Sequence, residues 1–168
     1  KTVYLESLIN AFNDDDVIAA SAAKAVGLIG SPEGVPSLVK LLNHGIPQVR
    51  LQAVIALGII GDIRAIPQLI LALEDIEPNV RWDAAIALAK MKNNSGSRII
   101  LDLLDRNYLD SFPNIDAGEQ DQAMLVAIHA SKWILGPEVK KSLNHLKDFD
   151  RNLHIREAAR QILELGDG

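Results

Sequence analysis

The chain has 168 residues and a formal net charge of −5, with 48% hydrophobic and 4% aromatic residues and no cysteine. That length suits one domain with a substantial core, and a core short of aromatics must be built from Ala, Leu, Ile and Val, which favours closely packed helices over a β-sandwich. The charge offers no general attraction to phosphate backbones, the missing cysteines exclude disulfides and thiolate sites, and no apolar run approaches the roughly 20 residues that span a bilayer. We therefore expect an all-α protein at home in the cytoplasm, with neither nucleic acid nor membrane among its partners. Lys1 stands where a start methionine would, so a trimmed chain is expected.

VYLESLINAF (3–12) supplies a first helix, and NDDD (13–16) places three carboxylates just before the next. Acids at a helix N-terminus are favoured by capping and by the macrodipole, so we read them as a cap and not as an acid–base pair. VIAASAAKAVGLIGSPEGVPSLVKLL (17–42) then aligns without a gap on QVRLQAVIALGIIGDIRAIPQLILAL (48–73). Gly27 falls on Gly58, Gly30 on Gly61, Pro36 on Pro67 and Leu42 on Leu73, each pair 31 residues apart. NVRWDAAIALAKMKNNSGSRIILDLL (79–104) continues the register, with Arg50 on Arg81, Ala53 on Ala84 and Leu73 on Leu104.

Within a unit, Val49, Ala53, Ala56, Leu57 and Ile60 recur at helical spacing and mark one buried face. A shorter helix follows Gly61, with Pro67 in its first turn, where a missing N–H costs little. Each unit is thus a helical pair, and a single pair cannot bury its apolar face alone, so stacked neighbours must make the core. DRNYLDSFPNIDAGEQDQ (105–122) breaks the period: Leu73 to Val80 is 7 residues but Leu104 to Ala123 is 19, an insertion of 12. AMLVAIHASKWIL (123–135) resumes the register with Met124 where Arg is expected, and HIREAARQILELG (154–166) restores the arginine as Arg156. The inserted loop carries Tyr108 and Phe112, too apolar for a freely solvated linker, so it should fold back on the protein.

QVRLQAVIALGIIGDIRAIPQL and NVRWDAAIALAKM resemble the short HEAT-like repeat of the phycobilisome-lyase type, roughly V-R-x-x-A-A-x-A-L-G-x-I-G-D-x-x-A-[VI]-P-x-L. The resemblance implies a right-handed α-α superhelix of about five helical pairs, about ten helices, over one domain at 1–168. Its units would fall near 2–30, 31–61, 62–92, 93–136 with the inserted loop 105–122, and 137–168. It also implies a ladder of charge-assisted hydrogen bonds between repeats, here Arg50, Arg81 and Arg156 with Asp75 and Asp150, each Asp standing six residues before an Arg. The variable positions of the V-R helix would face the concave side, which gives Gln48, Leu51, Gln52, Ile55, Trp82, Asp83, Ile86, Leu125 and His129. Leu51, Trp82, Ile86 and Leu125 would form an exposed apolar stripe with a polar rim, a common interface signature. The competing reading of Trp82 is simple packing between helices.

The four histidines, His44, His129, His145 and His154, lack metal-ligand spacing, and GLIG and GIIG lack the Lys and Ser of a phosphate loop. No catalytic constellation and no cofactor or metal site is expected. The expected function is a non-catalytic module that binds a protein or peptide through the concave face and the 105–122 loop, with a homodimer contact as another use of the stripe. The resemblance alone adds two alternatives: a chromophore (bilin) lyase subunit or regulator of an associated enzyme, and a nucleic-acid binder like HEAT-like base glycosylases, which would need a basic stripe where this chain offers chiefly Lys24.

Overall fold

A computed structural model describes residues 2–166. The described residues hold eleven α-helices: α1 (Thr2–Asn10), α2 (Asp16–Ile29), α3 (Val35–Leu41), α4 (Pro47–Ile60), α5 (Ile66–Ala72), α6 (Pro78–Lys90), α7 (Ser97–Leu103), α8 (Arg106–Asp110), α9 (Ala117–Ser131), α10 (Pro137–Phe149) and α11 (Leu153–Gly166). They fall two to each interval of the 31-residue period, and α8 is the additional helix within 93–136. The helices group into two compact units, divided after Asn93.

In the first unit the long helices α2, α4 and α6 stack side by side, with α4 packed against both of the others. Their close approach has a sequence cause. A Cβ built on Gly27 would lie 2.7 Å from both Cα and Cβ of Ala56, and one on Gly58 would lie 2.8 Å from the Cβ of Ala87. One register therefore reads Gly27, Gly58 against Ala56, Ala87, and only a hydrogen at the glycine lets the backbones meet. Behind this seam, Val26, Leu38, Val49, Ala53, Leu57, Leu69 and Leu88 are fully buried and form one cluster that Leu5 and Phe12 join from the N-terminal side.

The helix ends follow their local chemistry. Asp15 caps α2 by accepting a hydrogen bond from the Val17 N–H at 2.9 Å, so the acidic stretch before α2 begins the helix. Gly30 and Gly61 end α2 and α4 in the left-handed conformation, φ 71° and 70°. Lys92 holds that conformation at the same register after α6, with φ 58°, where a side chain is disfavoured. Between the helices of a pair, Asp62 caps a short 3₁₀ turn through the Arg64 N–H, and Arg64 donates to the Pro32 carbonyl at 3.0 Å, tying one turn to the next.

In the second unit α9, α10 and α11 pack together, with Met124, Ala127, Ile128, Leu143, Ile155 and Ala159 fully buried. The 105–122 stretch differs from the loop expected there. It contains α8, a connecting turn and the first turn and more of α9. Leu109 of α8 is fully buried, and Gln120 of α9 donates to the carbonyls of Leu109 at 3.1 Å and Ile115 at 3.3 Å. The Asp116–Glu119 capping box starts α9 about one turn ahead of the repeat register, in which Pro78 opens α6 just before Arg81. The local composition thus builds helix where an irregular excursion was expected.

Candidate functional site

The residues left free by the repeat come together on one face of α2, α4 and α6. The 31-residue period aligns Val17, Gln48 and Asn79 in one row, then Ala20, Leu51 and Trp82, then Ser21, Gln52 and Asp83, then Lys24, Ile55 and Ile86, and last Leu28, Ile59 and Lys90. Between α2 and α4 this face holds a shallow depression of about 320 Å³, lined by Val17, Ala20, Ser21, Lys24, Gln48 and Gln52. Gln48 is exposed, while Leu51, Gln52 and Ile55 are half-buried. Val17 at 73%, Leu28 at 70% and Ile59 at 49% exposure add apolar surface that the fold itself leaves uncovered.

The expected exposed stripe fails at its centre. Trp82 and Ile86 are buried, at 5% and 6% exposure, so neither is free as a surface anchor. Covering side chains of that size gains on the order of 2 kcal/mol each, which is reason enough for the fold to enclose them. Beside them Asp83 is half-buried, and burial pushes its carboxyl up to about 6, with the Lys90 charge pulling weakly the other way. In the second unit Leu125 is half-buried and His129 exposed on α9, at the registers of Leu51 and Ile55. Tyr108 and Phe112 pack edge to face, ring centroids 5.1 Å apart, and both are half-buried.

The arginine and aspartate registers resolve into specific pairs. Arg50 grips Asp75 with two hydrogen bonds, Nε to Oδ2 at 2.7 Å and Nη2 to Oδ1 at 2.8 Å, and donates from Nη1 to the His44 carbonyl at 2.8 Å. The Arg50 hydrogen bond, against the opposing effect of burial, holds the Asp75 carboxyl below the usual range. Arg81, six residues after Asp75, uses that residue's backbone instead: its Nη1 donates to the carbonyls of Asp75 at 2.7 Å and Ile76 at 3.0 Å. His44 stands 31 residues before Asp75 and does part of the same work, its Nδ1 accepting from the Ile46 N–H at 3.2 Å as Asp75 Oδ1 accepts from the Glu77 N–H at 2.9 Å.

Asp150 departs from the expected ladder. Its partner is Arg106 from α8, Nε to Oδ2 at 2.8 Å and Nη2 to Oδ1 at 3.0 Å, while Arg156 donates to the Lys147 carbonyl at 3.2 Å. The reason lies at Met124: the register that should supply the arginine is apolar and fully buried, and the inserted helix delivers a guanidinium in its place. Arg106 also contacts Asp121 at 2.5 Å, and Asp121 accepts from Asn152. Burial pushes the Asp150 carboxyl up, but Arg106 and the Asn152 N–H outweigh it and hold the group below its ordinary value. No sequence pattern singles out Arg106, Asp121, Asn152 or His44 for these roles. The one signal is Arg106 immediately following the Asp105 turn, at the place where the next unit's arginine is missing.

Among the described residues, no group of three or more His, Cys, Asp or Glu side chains could hold a metal ion, and no helix is long and apolar enough to cross a membrane.

A family model for HEAT repeats matches residues 5–89, half of the chain. The chain belongs to the HEAT-repeat family. The HEAT fold extends beyond the matched residues: over 95% of its length the chain is similar to a chain from the complex of CpcE and CpcF of phycocyanin lyase from Nostoc sp. PCC7120, with a TM-score of 0.73 and 21% identity. The present chain spans 63% of that chain's length. An engineered protein is similar over 95% of both chains, with a TM-score of 0.50 and 18% identity. At these identities the likeness shows an all-helical HEAT-like solenoid and nothing of activity. No curated protein matches the sequence.

Proposed function

We propose that this HEAT-repeat protein is a non-catalytic interaction module that binds a protein or peptide through the face of α2, α4 and α6. The observation that supports this most is the uncovered apolar surface of Val17, Leu28, Ile55 and Ile59 around the depression beside Gln48 and Gln52. Apolar surface with a polar rim on a regular scaffold is what a partner can cover with gain. Leu51, Gln52, Ile55 and Asp83 are the contact residues within this proposal, and Trp82 and Ile86 support them from beneath. Leu125 and His129 hold equivalent registers on α9 and serve the second unit in the same way, as do Tyr108 and Phe112 in so far as they remain half-exposed. The partner is a protein and not nucleic acid, since Lys24 and Lys90 are the face's cations and Asp16 and Asp83 balance them. The cytoplasm is the proposed location, and a second copy of the chain is the alternative partner. Ile55→Asp, which changes one half-buried contact residue, is expected to abolish partner capture with helical content retained; capture unchanged by it would contradict the proposal.

A second reading is a subunit of a chromophore lyase or a regulator of an associated enzyme, favoured by the fold likeness to a chain of the phycocyanin lyase complex. It predicts a shift in bilin absorbance when the protein is mixed with bilin and a phycobiliprotein, and an unchanged spectrum would dismiss it.

A further inference from the structure

The second unit carries a larger groove that the proposed function does not use. It lies between α7 and α10, where the chain turns into α8, and encloses about 800 Å³. Leu101, Leu104 and Leu146 make its apolar floor, the last two buried. Phe149 stands in it 73% exposed, with the His145 ring centroid 5.2 Å from its own.

The charges around this floor are unequally committed. Of the anions, Asp150 has a side chain without exposure and is neutralised by two hydrogen bonds from Arg106. Asp105 caps α8 through the Asn107 N–H at 2.9 Å, and Glu138 lies in the first turn of α10, where the helix dipole favours it. The cations are held loosely. Arg98 is 85% exposed and meets only Asp102 one turn away, Arg151 is 60% exposed and 3.8 Å from Asp110, and Lys141 is exposed. Exposed ion pairs contribute little, so these three can turn to an incoming carboxylate at small cost.

We propose that this groove binds a short acidic segment of another protein, its carboxylates on Arg98, Lys141 and Arg151 and one apolar or aromatic side chain against Phe149 and the leucine floor. Charge complementarity names the occupant. Three available cations over an apolar floor fit a few carboxylates flanking a hydrophobic anchor, whereas a chain of net charge −5 repels a long polyanion such as nucleic acid. The insertion that breaks the repeat lines this groove with Asp105, Arg106 and Asn107, so the irregularity builds the site.

The test uses the full chain and a fluorescein-labelled glutamate peptide with one central phenylalanine, followed by anisotropy, beside the corresponding lysine peptide and a labelled single-stranded oligonucleotide. Saturable binding of the acidic peptide alone is expected, weakened about tenfold by the double reversal Lys141→Glu and Arg151→Glu. Phe149→Ala should weaken it several-fold, and Ile55→Asp on the other unit should leave it unchanged, which separates this site from the face of α2, α4 and α6. All the groove substitutions are at exposed positions, and unchanged melting would confirm that the variants fold. Absence of saturation at millimolar peptide, equal binding by the charge-reversed variant, or equal binding of the oligonucleotide would overturn the proposal.

Discussion

The Arg106 guanidinium binds both carboxylate oxygens of Asp150, at 2.8 and 3.0 Å, although 44 residues separate them in the chain. The pair reproduces, with an arginine from an inserted helix, what Arg50 and Asp75 do within the regular repeat at 2.7 and 2.8 Å across 25 residues. Because the Asp150 side chain is wholly inaccessible, removing its partner leaves a buried charge uncompensated. Arg106→Met should therefore lower stability by about 3 kcal/mol in urea unfolding, and Arg50→Met by a similar amount, whereas the solvent-exposed Arg98→Met should cost less than about 1 kcal/mol. Equal effects at all three positions would show that the bidentate pairs do not hold neighbouring helical pairs together.

Asp83 gives the protein a pH dependence of opposite sign to that of its paired aspartates. A carboxyl raised from 3.8 to about 6 by burial favours the folded state below the lower value, and that contribution is lost as pH rises through 6. Asp62, held at about 2 by Arg64, and the lowered Asp75 and Asp150 contribute above their unfolded values and lose that contribution as pH falls through their folded ones. Asp83→Asn should thus raise stability at pH 8 by an amount on the order of 2 kcal/mol, read from urea unfolding, and change it little at pH 4.5. A gain of the same size at both pH values would place the origin of the effect elsewhere.

The helix seam and the left-handed cap make a matched pair of backbone predictions. Gly27→Ala forces a methyl to 2.7 Å from the Ala56 backbone and should destabilise by about 1–3 kcal/mol, while Gly45→Ala, with nothing within 4 Å, should be neutral. Lys92→Gly relieves a side chain at φ 58° and should stabilise by about 0.5–1 kcal/mol after the entropy lost from a more flexible unfolded chain. Thermal melts of the three variants check all of these together, and a stabilising Gly27→Ala would contradict the packing described for α2 and α4.

Trp82→Ala separates packing from recognition. With 5% exposure, Trp82 should cost about 3–5 kcal/mol when truncated. A variant that melts like the wild type would return Trp82 to the surface.

The repeat carries most of the fold in plain view, because a helix pair recurring every 31 residues exposes its buried positions by comparison with itself. Gly27, Gly58, Ala56 and Ala87 align from the period alone, and so do the free rows that run through Ser21, Gln52 and Asp83. Two things are hidden, for different physical reasons. Register tells which side of a helix a residue is on and not what lies over it, so the enclosure of Trp82 and Ile86 is illegible in the sequence. Hydrogen-bond partners are chosen by geometry and not by sequence distance, so the Asp75 carboxylate serves Arg50 instead of Arg81, and that of Asp150 serves Arg106 instead of Arg156. His44 illustrates the same point: an imidazole nitrogen accepts from the backbone where its counterparts use a carboxylate, which no residue-type pattern would reveal.

The central claim, that the face of α2, α4 and α6 meets a protein partner, is tested most directly by site-specific photo-crosslinking in the native host. A crosslinking residue replaces Gln52 on that face, and in a second variant replaces Lys40, exposed on α3. One discrete protein adduct is expected from position 52, abolished by Ile55→Asp, and none from position 40. No adduct at position 52, or the same adducts from both positions, would contradict the claim.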